Sequence, residues 1–582
     1  MIVAPASPRA EMGIACAAAA VAVAAVIVAC GGLDILGGRP LKFEGDAVLH
    51  SVVAKIATDD GWTWRGSRWG APDGFPLAAF GLQLPVETVI MKLVALATDD
   101  PITVLNGTWL TLIGIAALDA YAAFRLLGLE RMAAFVCAAL FAASPHAYLR
   151  NVTHLNLHAA FVPVPTALAV LAASGRLAEL DRRTFLAAGA ATGLAAIGYV
   201  YYPFFYTILF VSALLIAGLS GRRESLRRGL ACMAVIIVAG GANLVPTLAA
   251  RAAEAPLAGL DYKRPEEADV YGLRLRDLVM PSAVSRIPPL AAVGRRVDAV
   301  AWPLPGESRH AKQGLAATIG MLAALTALFG WRPASDERQT ANLRAAACLI
   351  VALVFVAVPG GLGSIFNTFV TAEFRCYNRL VTLVSFLGLA ALGIALATAF
   401  TRLPQRVAAA AWLVVLACGL IDQDVAAAIR GRAAETTAER HTLAAFVAEV
   451  EATLPPRTRI WTLPATGFPV DTASGAMREF DHAKPGLFSR LLTWSWPSFG
   501  GRAARLAAEI GDGTTAASIA RGRDAGFTAI WLDAAGDPAV VAATDRAIGT
   551  AGGRLVRQSN DRRYRIYDLS PDTANEAAPS PR

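Results

Sequence analysis

The feature that most constrains this chain is a series of long apolar runs without a single charge. Ile14 to Cys30, Ala345 to Val358 and Leu380 to Ala397 contain no Asp, Glu, Lys or Arg. A spanning helix needs roughly 20 apolar residues to cross the hydrocarbon core of a bilayer. A soluble fold would have to cover such runs with charged surface, and the charge is not there. Only 17% of the 582 residues are charged, against about 25% in soluble domains. The charged residues gather between the runs and after about residue 423. The expected fold is therefore a polytopic α-helical membrane protein.

The N-terminal run follows Arg9 and superficially looks like a signal peptide. It is longer than a typical signal core, and Gly31-Gly32-Leu33-Asp34 is a poor cleavage site. It reads as the first span. The expected spans are 13–31, 103–125, 132–144, 156–174, 184–200, 203–219, 229–249, 313–331, 343–358, 378–398 and 407–422. Pro85 to Thr98 is shorter and carries Glu87 and Lys92, so it reads as an interfacial or re-entrant helix.

Loop charge supports that choice. With Pro85 to Thr98 left out of the bilayer, one set of short loops collects Arg125 and Arg131, then Arg176, Arg182 and Arg183, then Arg222, Arg223, Arg227 and Arg228. Arg332, Arg338, Arg344, Arg402 and Arg406 join them. Short Arg-rich loops face the cytoplasm. About 11 spans follow, with the N-terminus inside and the C-terminus outside, as in a bacterial inner-membrane protein. Residues 32–102, 250–312 and 423–582 then face the periplasm. Residues 1–425 form the membrane domain. Residues 426–570 alternate helical stretches with strand-like runs at Arg459 to Leu463, Thr528 to Leu532 and Tyr564 to Tyr567, which suggests a small C-terminal α/β soluble domain. The polar tail 571–582 is expected to be disordered. The seven cysteines share no loop and no CxxC spacing, so neither a disulfide framework nor a zinc site is expected.

The exterior segments carry the candidate chemistry. The first loop opens Phe43-Glu44-Gly45-Asp46, with His50 one helical turn on. A carboxylate there suits a general base, although Asp46 in front of an apolar helix also suits a helix start. The same loop interleaves Trp62, Trp64 and Trp69 with Arg65 and Arg68, fit either for interfacial anchoring or for stacking on sugars and holding phosphate. The turn after the third span carries Arg150, Asn151, His154 and His158. In a helix, Arg150 and His154 would share a face. The segment 250–312 carries Arg264, Arg274, Arg276, Arg286, Arg295, Arg296, Arg309 and Lys312, and the next exterior loop ends Arg375-Cys376-Tyr377-Asn378-Arg379. Arginines on this side run against the positive-inside trend and suggest an anionic ligand such as a lipid phosphate.

These residues resemble the GT-C class of membrane glycosyltransferases, and more closely a bacterial branch with a C-terminal periplasmic domain. The resemblance rests on Gly45-Asp46, Gly61-Trp62 and Gly70-Ala71-Pro72, on Pro145 through Arg150 to His154-Leu155, and on Tyr271-Gly272-Leu273-Arg274 through Arg286-Ile287-Pro288. Asn378-Arg379 continues it, as do Leu463-Pro464, Leu492-Thr493-Trp494-Ser495-Trp496, Gly500-Gly501-Arg502 and Arg565-Ile566-Tyr567-Asp568-Leu569 in the C-terminal domain. The motifs are short, and their order along most of the chain is the stronger signal.

The class implies a sugar donated from a polyprenyl phosphate to a glycan, lipid or protein acceptor of the envelope, with inversion. It implies a carboxylate base in the first exterior loop, here Asp46 with Glu44 beside it. Arg150, His154, Arg375, Asn378 and Arg379 would serve the lipid phosphate. His50, Trp62, Trp64, Arg65, Arg68, Trp69, Asn151, His158, Tyr271 and Arg274 would serve the sugar or acceptor. Some class members use a divalent metal; with no further acidic cluster in this sequence, none is expected to be obligatory. Membrane lipid is an expected partner and nucleic acid is not. Two other readings compete: a flippase or transporter for lipid-linked sugars, for which Asp119 and His158 are the intramembrane candidates, and a non-catalytic scaffold for envelope assembly.

Overall fold

The computed structural model describes residues 8–257, 263–300, 306–331, 336–470 and 475–570. The tail 571–582 lies outside the described residues.

Among the described residues, eight helices are long and apolar enough to cross a membrane: Pro8–Ala29, Pro101–Leu126, Arg131–Arg150, Tyr201–Leu219, Arg223–Ala253, Glu337–Ala357, Tyr377–Phe400 and Gln405–Gln423. The other three expected spans are shorter helices, Pro163–Ser174, Arg182–Ala196 and Gly314–Thr326. The chain is a multi-pass membrane protein. Pro85–Ala95 is an 11-residue helix with Glu87 in its first turn and Lys92 in its last; Pro163–Ser174 is hardly longer at 12 residues, and the charges are what set Pro85–Ala95 apart. The span expected over 156–174 begins only at Pro163, because residues 152–157 are used in a short tight turn. Asp119 of the helix Pro101–Leu126 accepts a hydrogen bond from the Val164 N–H at 3.0 Å. It satisfies one of the unpaired N–H groups at the start of the helix Pro163–Ser174.

Close helix packing depends on small residues where two backbones meet. The helices Gly314–Thr326 and Val381–Phe400 cross at Gly320 and Gly388. A Cβ built on Gly320 would collide with the Gly388 carbonyl, and one on Gly388 with the Ala317 carbonyl. Gly13, by contrast, has open space beside it. Gly320→Leu is expected to lower the thermal unfolding temperature of the detergent-solubilised protein by a penalty of about 1–3 kcal/mol or more. Gly13→Leu should leave it unchanged, and equal behaviour of the two variants would refute the crossing.

The short basic segments converge at one end of the bundle. Arg125 and Arg131 pair with Glu11 at 3.3 and 2.9 Å. Arg228 donates to the Leu180 carbonyl at 2.6 Å, Asn342 to the Leu127 carbonyl at 2.9 Å, and Trp412 to Glu130 at 3.1 Å.

The other end carries the helix Asp46–Asp59, the turns 145–158 and 373–380, the described parts of 250–312, and the C-terminal domain. That domain is a five-stranded sheet of β1 (Arg459–Leu463), β2 (Thr493–Trp494), β3 (Ala529–Asp533), β4 (Arg554–Gln558) and β5 (Tyr564–Asp568), in the order β2-β1-β3-β5-β4. β1 runs parallel to β2 and β3, while β3 pairs with β5, and β5 with β4, antiparallel. The β1, β3 and β5 runs read as strands in the sequence. β2 and β4 do not, the first because it is two residues long and the second because it is a largely exposed edge strand without the alternation of a half-buried one.

The domain docks on the first loop. The Trp494 N–H donates to the Arg68 carbonyl at 2.9 Å, and the Gly70 and Ala71 N–H groups donate to the Trp496 and Trp494 carbonyls at 3.1 and 2.9 Å. The helix Ala433–Thr453 adds an Arg440–Asp100 ion pair at 3.0 Å.

Candidate active site

The site is assembled from three turns that meet at the docking end of the bundle. The first is the corner Glu44-Gly45-Asp46. Gly45 has φ 57°, in the left-handed region that favours glycine. That geometry turns the chain sharply, so that Asp46 becomes the first residue of a helix. A carboxylate at a helix N-terminus is favoured by the helix dipole. The helix is held by buried Val48, Leu49, Val52, Val53 and Ile56.

The second turn is 145–158. Sequence spacing predicts Arg150 and His154 on one helical face. The structure brings them together by another route: the helix Pro145–Arg150 stops at Asn151, which has φ 27°. Asn151 Oδ1 then accepts from the Thr153 N–H at 3.0 Å, and its amide donates to the Tyr148 carbonyl at 2.8 Å. His154 itself is non-helical. Its Nε2 lies 3.4 Å from Asp46 Oδ2.

The third turn is 376–380. Asn378 donates to the Tyr271 carbonyl at 2.9 Å and accepts from Arg150 at 3.0 Å. Arg379 lies over the Tyr201 ring, 4.5 Å from its centroid.

The three arginines of this face differ in how they are compensated. Arg150, almost fully buried, pairs with Glu307 at 2.6 Å. Arg375 pairs with Glu267 at 2.6 Å and lies over Tyr271. Arg379 makes no ion pair among the described residues, and its Nε is buried without a hydrogen-bond partner. A guanidinium held in that way is prepared for an anion that the protein does not itself supply.

Burial pushes the Asp46 carboxyl up to about 6, with Glu307 adding to the rise and Arg379, Lys42 and Arg150 opposing it. The side chain is still 42% accessible, so it is open on one side and walled by protein on the other. Burial would likewise raise Glu307, but Arg150 and Arg379 outweigh it and hold that carboxyl below its ordinary value. His154 is driven well below its ordinary value by burial and then by Arg150 and Arg379, and burial takes His310 down to about 4. At neutral pH the group beside Asp46 is thus a neutral imidazole. Asp46 is ionised but close to its titration point, a suitable state for a general base. Among the described residues no three His, Cys, Asp or Glu side chains converge as a metal site.

Several expected site residues have other positions. Glu44 is held away from His154: it pairs with Arg432 at 2.6 Å and Arg478 at 3.4 Å, which makes it a strut to the C-terminal domain. His50 is buried in the helix core, with Asn156 as its hydrogen-bonding neighbour. The tryptophan–arginine segment is docking surface. Trp69 is buried, and its ring leaves no room for a Cβ at Gly486. Arg65 pairs with Glu254, and Arg68 lies 3.7 Å from Asp59. Trp62 is half-buried, and Trp64 of the same segment is exposed. Arg274 is locked to Asp277 at 3.0 Å, both buried. Tyr271 serves as the platform under Arg375. His158 Nε2 contacts the buried Glu87 at 2.7 Å, and its Nδ1 accepts from the Ala160 N–H. His158 and Asp119, the two transport candidates, are therefore both occupied in local structure. Glu307 and His310 are not legible as site residues in the sequence: they sit three apart in a segment, 250–312, that mixes ten Lys and Arg with eight Asp and Glu. Glu87 stands out there only as a charge within Pro85 to Thr98.

Three cavities surround the site. A small recess of about 30 Å³ is lined by Trp109, His146, Arg150, His154 and His158. A groove of about 310 Å³ is lined by Tyr199, Tyr201, Asn243, Arg251, Lys263 and Phe374. A cleft of about 470 Å³ is lined by Lys42, Glu44, Asn151, Arg309, His310 and Arg432.

Comparison with solved structures now gives the fold. ArnT from Cupriavidus metallidurans in the apo state aligns over 96% of this chain and 98% of its own, at 14% identity and a TM-score of 0.53. The chain has a GT-C fold. The structure of the same ArnT bound to undecaprenyl phosphate aligns over the same shares at 12% identity and a TM-score of 0.50. The arabinofuranosyltransferase AftD from Mycobacteria aligns over 98% of this chain at 16% identity and a TM-score of 0.49, and the chain spans 40% of that protein's length. No protein-family model and no curated protein matches the sequence.

Proposed function

We propose that this GT-C chain is a membrane glycosyltransferase that takes a sugar from a polyprenyl-phosphate donor and transfers it, with inversion, to an envelope acceptor. The observation that carries the reading is Arg379, a cation without an ion-pair partner among the described residues, on the same face as a carboxylate with a raised pKa and a neutral histidine. In this reading the acceptor hydroxyl gives its proton to Asp46, and the hydroxyl oxygen attacks the anomeric carbon. The bond from that carbon to the phosphate oxygen breaks, and Arg379 stabilises the charge on the leaving phosphate. The groove beside Tyr201 suits the lipid phosphate, with Arg251 and Lys263 at its wall. The polar cleft at Lys42 and Arg309 suits the acceptor. That ArnT of this fold binds undecaprenyl phosphate supports a polyprenyl carrier. The Arg-rich end would face the cytoplasm and Asp46 the periplasm of a bacterial inner membrane.

The test is mass spectrometry of lipid extracted from the purified protein. A polyprenyl-phosphate sugar or glycan is expected, and its absence after donor is supplied during purification would overturn the reading. The rate should also follow Asp46. A base works only when ionised, so transfer is expected to fall as pH drops through about 6 and to level off above it. A profile flat from pH 5 to 8 would argue against Asp46.

A further inference from the structure

The corner that bears Asp46 is held from outside the membrane domain. The Gly45 N–H, one residue before Asp46, donates to the Glu479 carbonyl of the C-terminal domain at 3.2 Å. Glu44, two residues before it, is shared by Arg432 at 2.6 Å and Arg478 at 3.4 Å. Arg478 also reaches Glu435 at 3.3 Å and Glu439 at 3.6 Å. The segment that presents Arg478 and Glu479 is itself anchored. The Arg478 N–H donates to Asp481 at 3.0 Å, and Asp481 pairs with Lys484 and with Arg563, each at 2.6 Å. Arg563 continues to Asp533 at the end of β3, at 2.8 Å. Lys484, fully buried, also pairs with Glu439 at 2.6 Å. A continuous ionic path thus runs from the sheet of the C-terminal domain to the residues that set the direction of the helix Asp46–Asp59.

This arrangement has more contacts than docking alone requires. The tryptophan–arginine segment already fixes the domain to the first loop through backbone hydrogen bonds. The Glu44–Gly45 contacts act on the glycine whose positive φ sets the direction of Asp46. We propose that the segment Arg478–Asp481 of the C-terminal domain is a positioning element for the transfer reaction, with Arg478 and Arg432 holding Glu44 so that Asp46 is presented to the acceptor. The inference rests on the reading of Asp46 as base. It assigns the C-terminal domain a part in catalysis through Asp46, with Arg478 as a positioning residue that touches no substrate.

The experiment compares the full-length wild type with Arg478→Ala, Arg478→Lys and Glu44→Gln. Glu44→Gln keeps the side-chain volume if Arg478→Ala folds poorly. Misplacing a reacting group by about 1 Å costs on the order of 10²-fold. The kcat of Arg478→Ala is therefore expected to fall about 10- to 100-fold, with the KM for the lipid donor within about twofold of wild type. Arg478→Lys should recover part of the loss. A loosened corner is better hydrated, so the acid limb of the kcat profile should move to lower pH, a change that a loss of folded protein alone cannot produce. Hydrogen–deuterium exchange should rise at the amides of residues 45–49 and stay unchanged in β1 and β3. Wild-type kcat and acid limb in Arg478→Ala and Glu44→Gln, or unchanged exchange at 45–49, would overturn the proposal. If transfer proves insensitive to Asp46→Asn, the base assignment fails instead, and the exchange measurement still decides whether Arg478 holds the corner.

Discussion

Asp46→Asn is expected to lower the transfer rate by about 10²–10⁴-fold, the range contributed by a positioned general base, while the protein folds and binds donor lipid as before. The substitution removes a proton acceptor and little else. Asn has the same shape and can still donate to or accept from neighbours at the helix N-terminus. The sign of the stability change can also be given. The Asp46 carboxyl is raised to about 6, first by burial and then by Glu307. The fold therefore prefers the protonated form, and stability gained from that preference is present at low pH and lost as pH rises through about 6. A neutral side chain at position 46 does not incur this loss, so at pH 7.5 the unfolding temperature of Asp46→Asn should equal or slightly exceed that of the wild type. Rate and unfolding temperature measured on one preparation check both statements. Full activity in the variant would exclude Asp46 as base, and a large drop in unfolding temperature would mean that its role is structural.

Arg379→Met is expected to cost about 10²–10³-fold in rate, the scale of losing one preorganised electrostatic donor to a developing charge. Met keeps an unbranched apolar side chain at the position and removes the guanidinium that lies over Tyr201, with its charge and its N–H donors. Donor affinity should weaken as well, because the phosphate carries charge before and after transfer. Arg150→Met should behave differently. Arg150 is already neutralised by Glu307 and hydrogen-bonded to Asn378, so its loss leaves Glu307 without its partner in a largely enclosed place. Breaking such a pair costs about 3–5 kcal/mol when fully buried; Glu307 is a third exposed, which points to the lower end. The contrast is the test: a rate defect with normal stability at position 379, and a stability defect at position 150. If the two variants lose rate equally with no change in unfolding temperature, Arg379 is not the distinctive phosphate ligand.

The bundle was legible because a bilayer imposes a simple rule on sequence. Runs such as Leu380 to Ala397 have no other place to go, and Arg-rich loops mark one end. Glu87 and Lys92 set Pro85–Ala95 apart from Pro163–Ser174, a helix of nearly equal length. The rule failed at 156–162, where a hydrophobic stretch is spent on a turn that carries His158 to Glu87, and hydropathy cannot distinguish a turn buried in protein from a span in lipid. Within the site, Asp46, Arg150, His154, Asn378 and Arg379 were visible as polar groups at span ends. Their compensation was not. Nothing in the sequence distinguishes Arg379 from Arg150 or Arg375, because an arginine's availability depends on which distant carboxylate reaches it. Glu307 lies 157 residues from Arg150, and Glu267 lies 108 from Arg375.

The tryptophan–arginine segment makes the same point in reverse. Its composition suggested sugar contact, yet Trp69 and Arg68 are used to seat the C-terminal domain. The sequence alone determined a multi-span chain with a small α/β domain, since spans, turns and strands are set by local hydrophobicity and chain geometry. Only the tertiary structure decided which charges are paired, that Glu44 is a strut while Asp46 lies against His154, and that the C-terminal domain reaches the corner before the base. Ion pairing and burial are long-range properties, fixed when distant segments pack, and a one-dimensional pattern does not encode their partners.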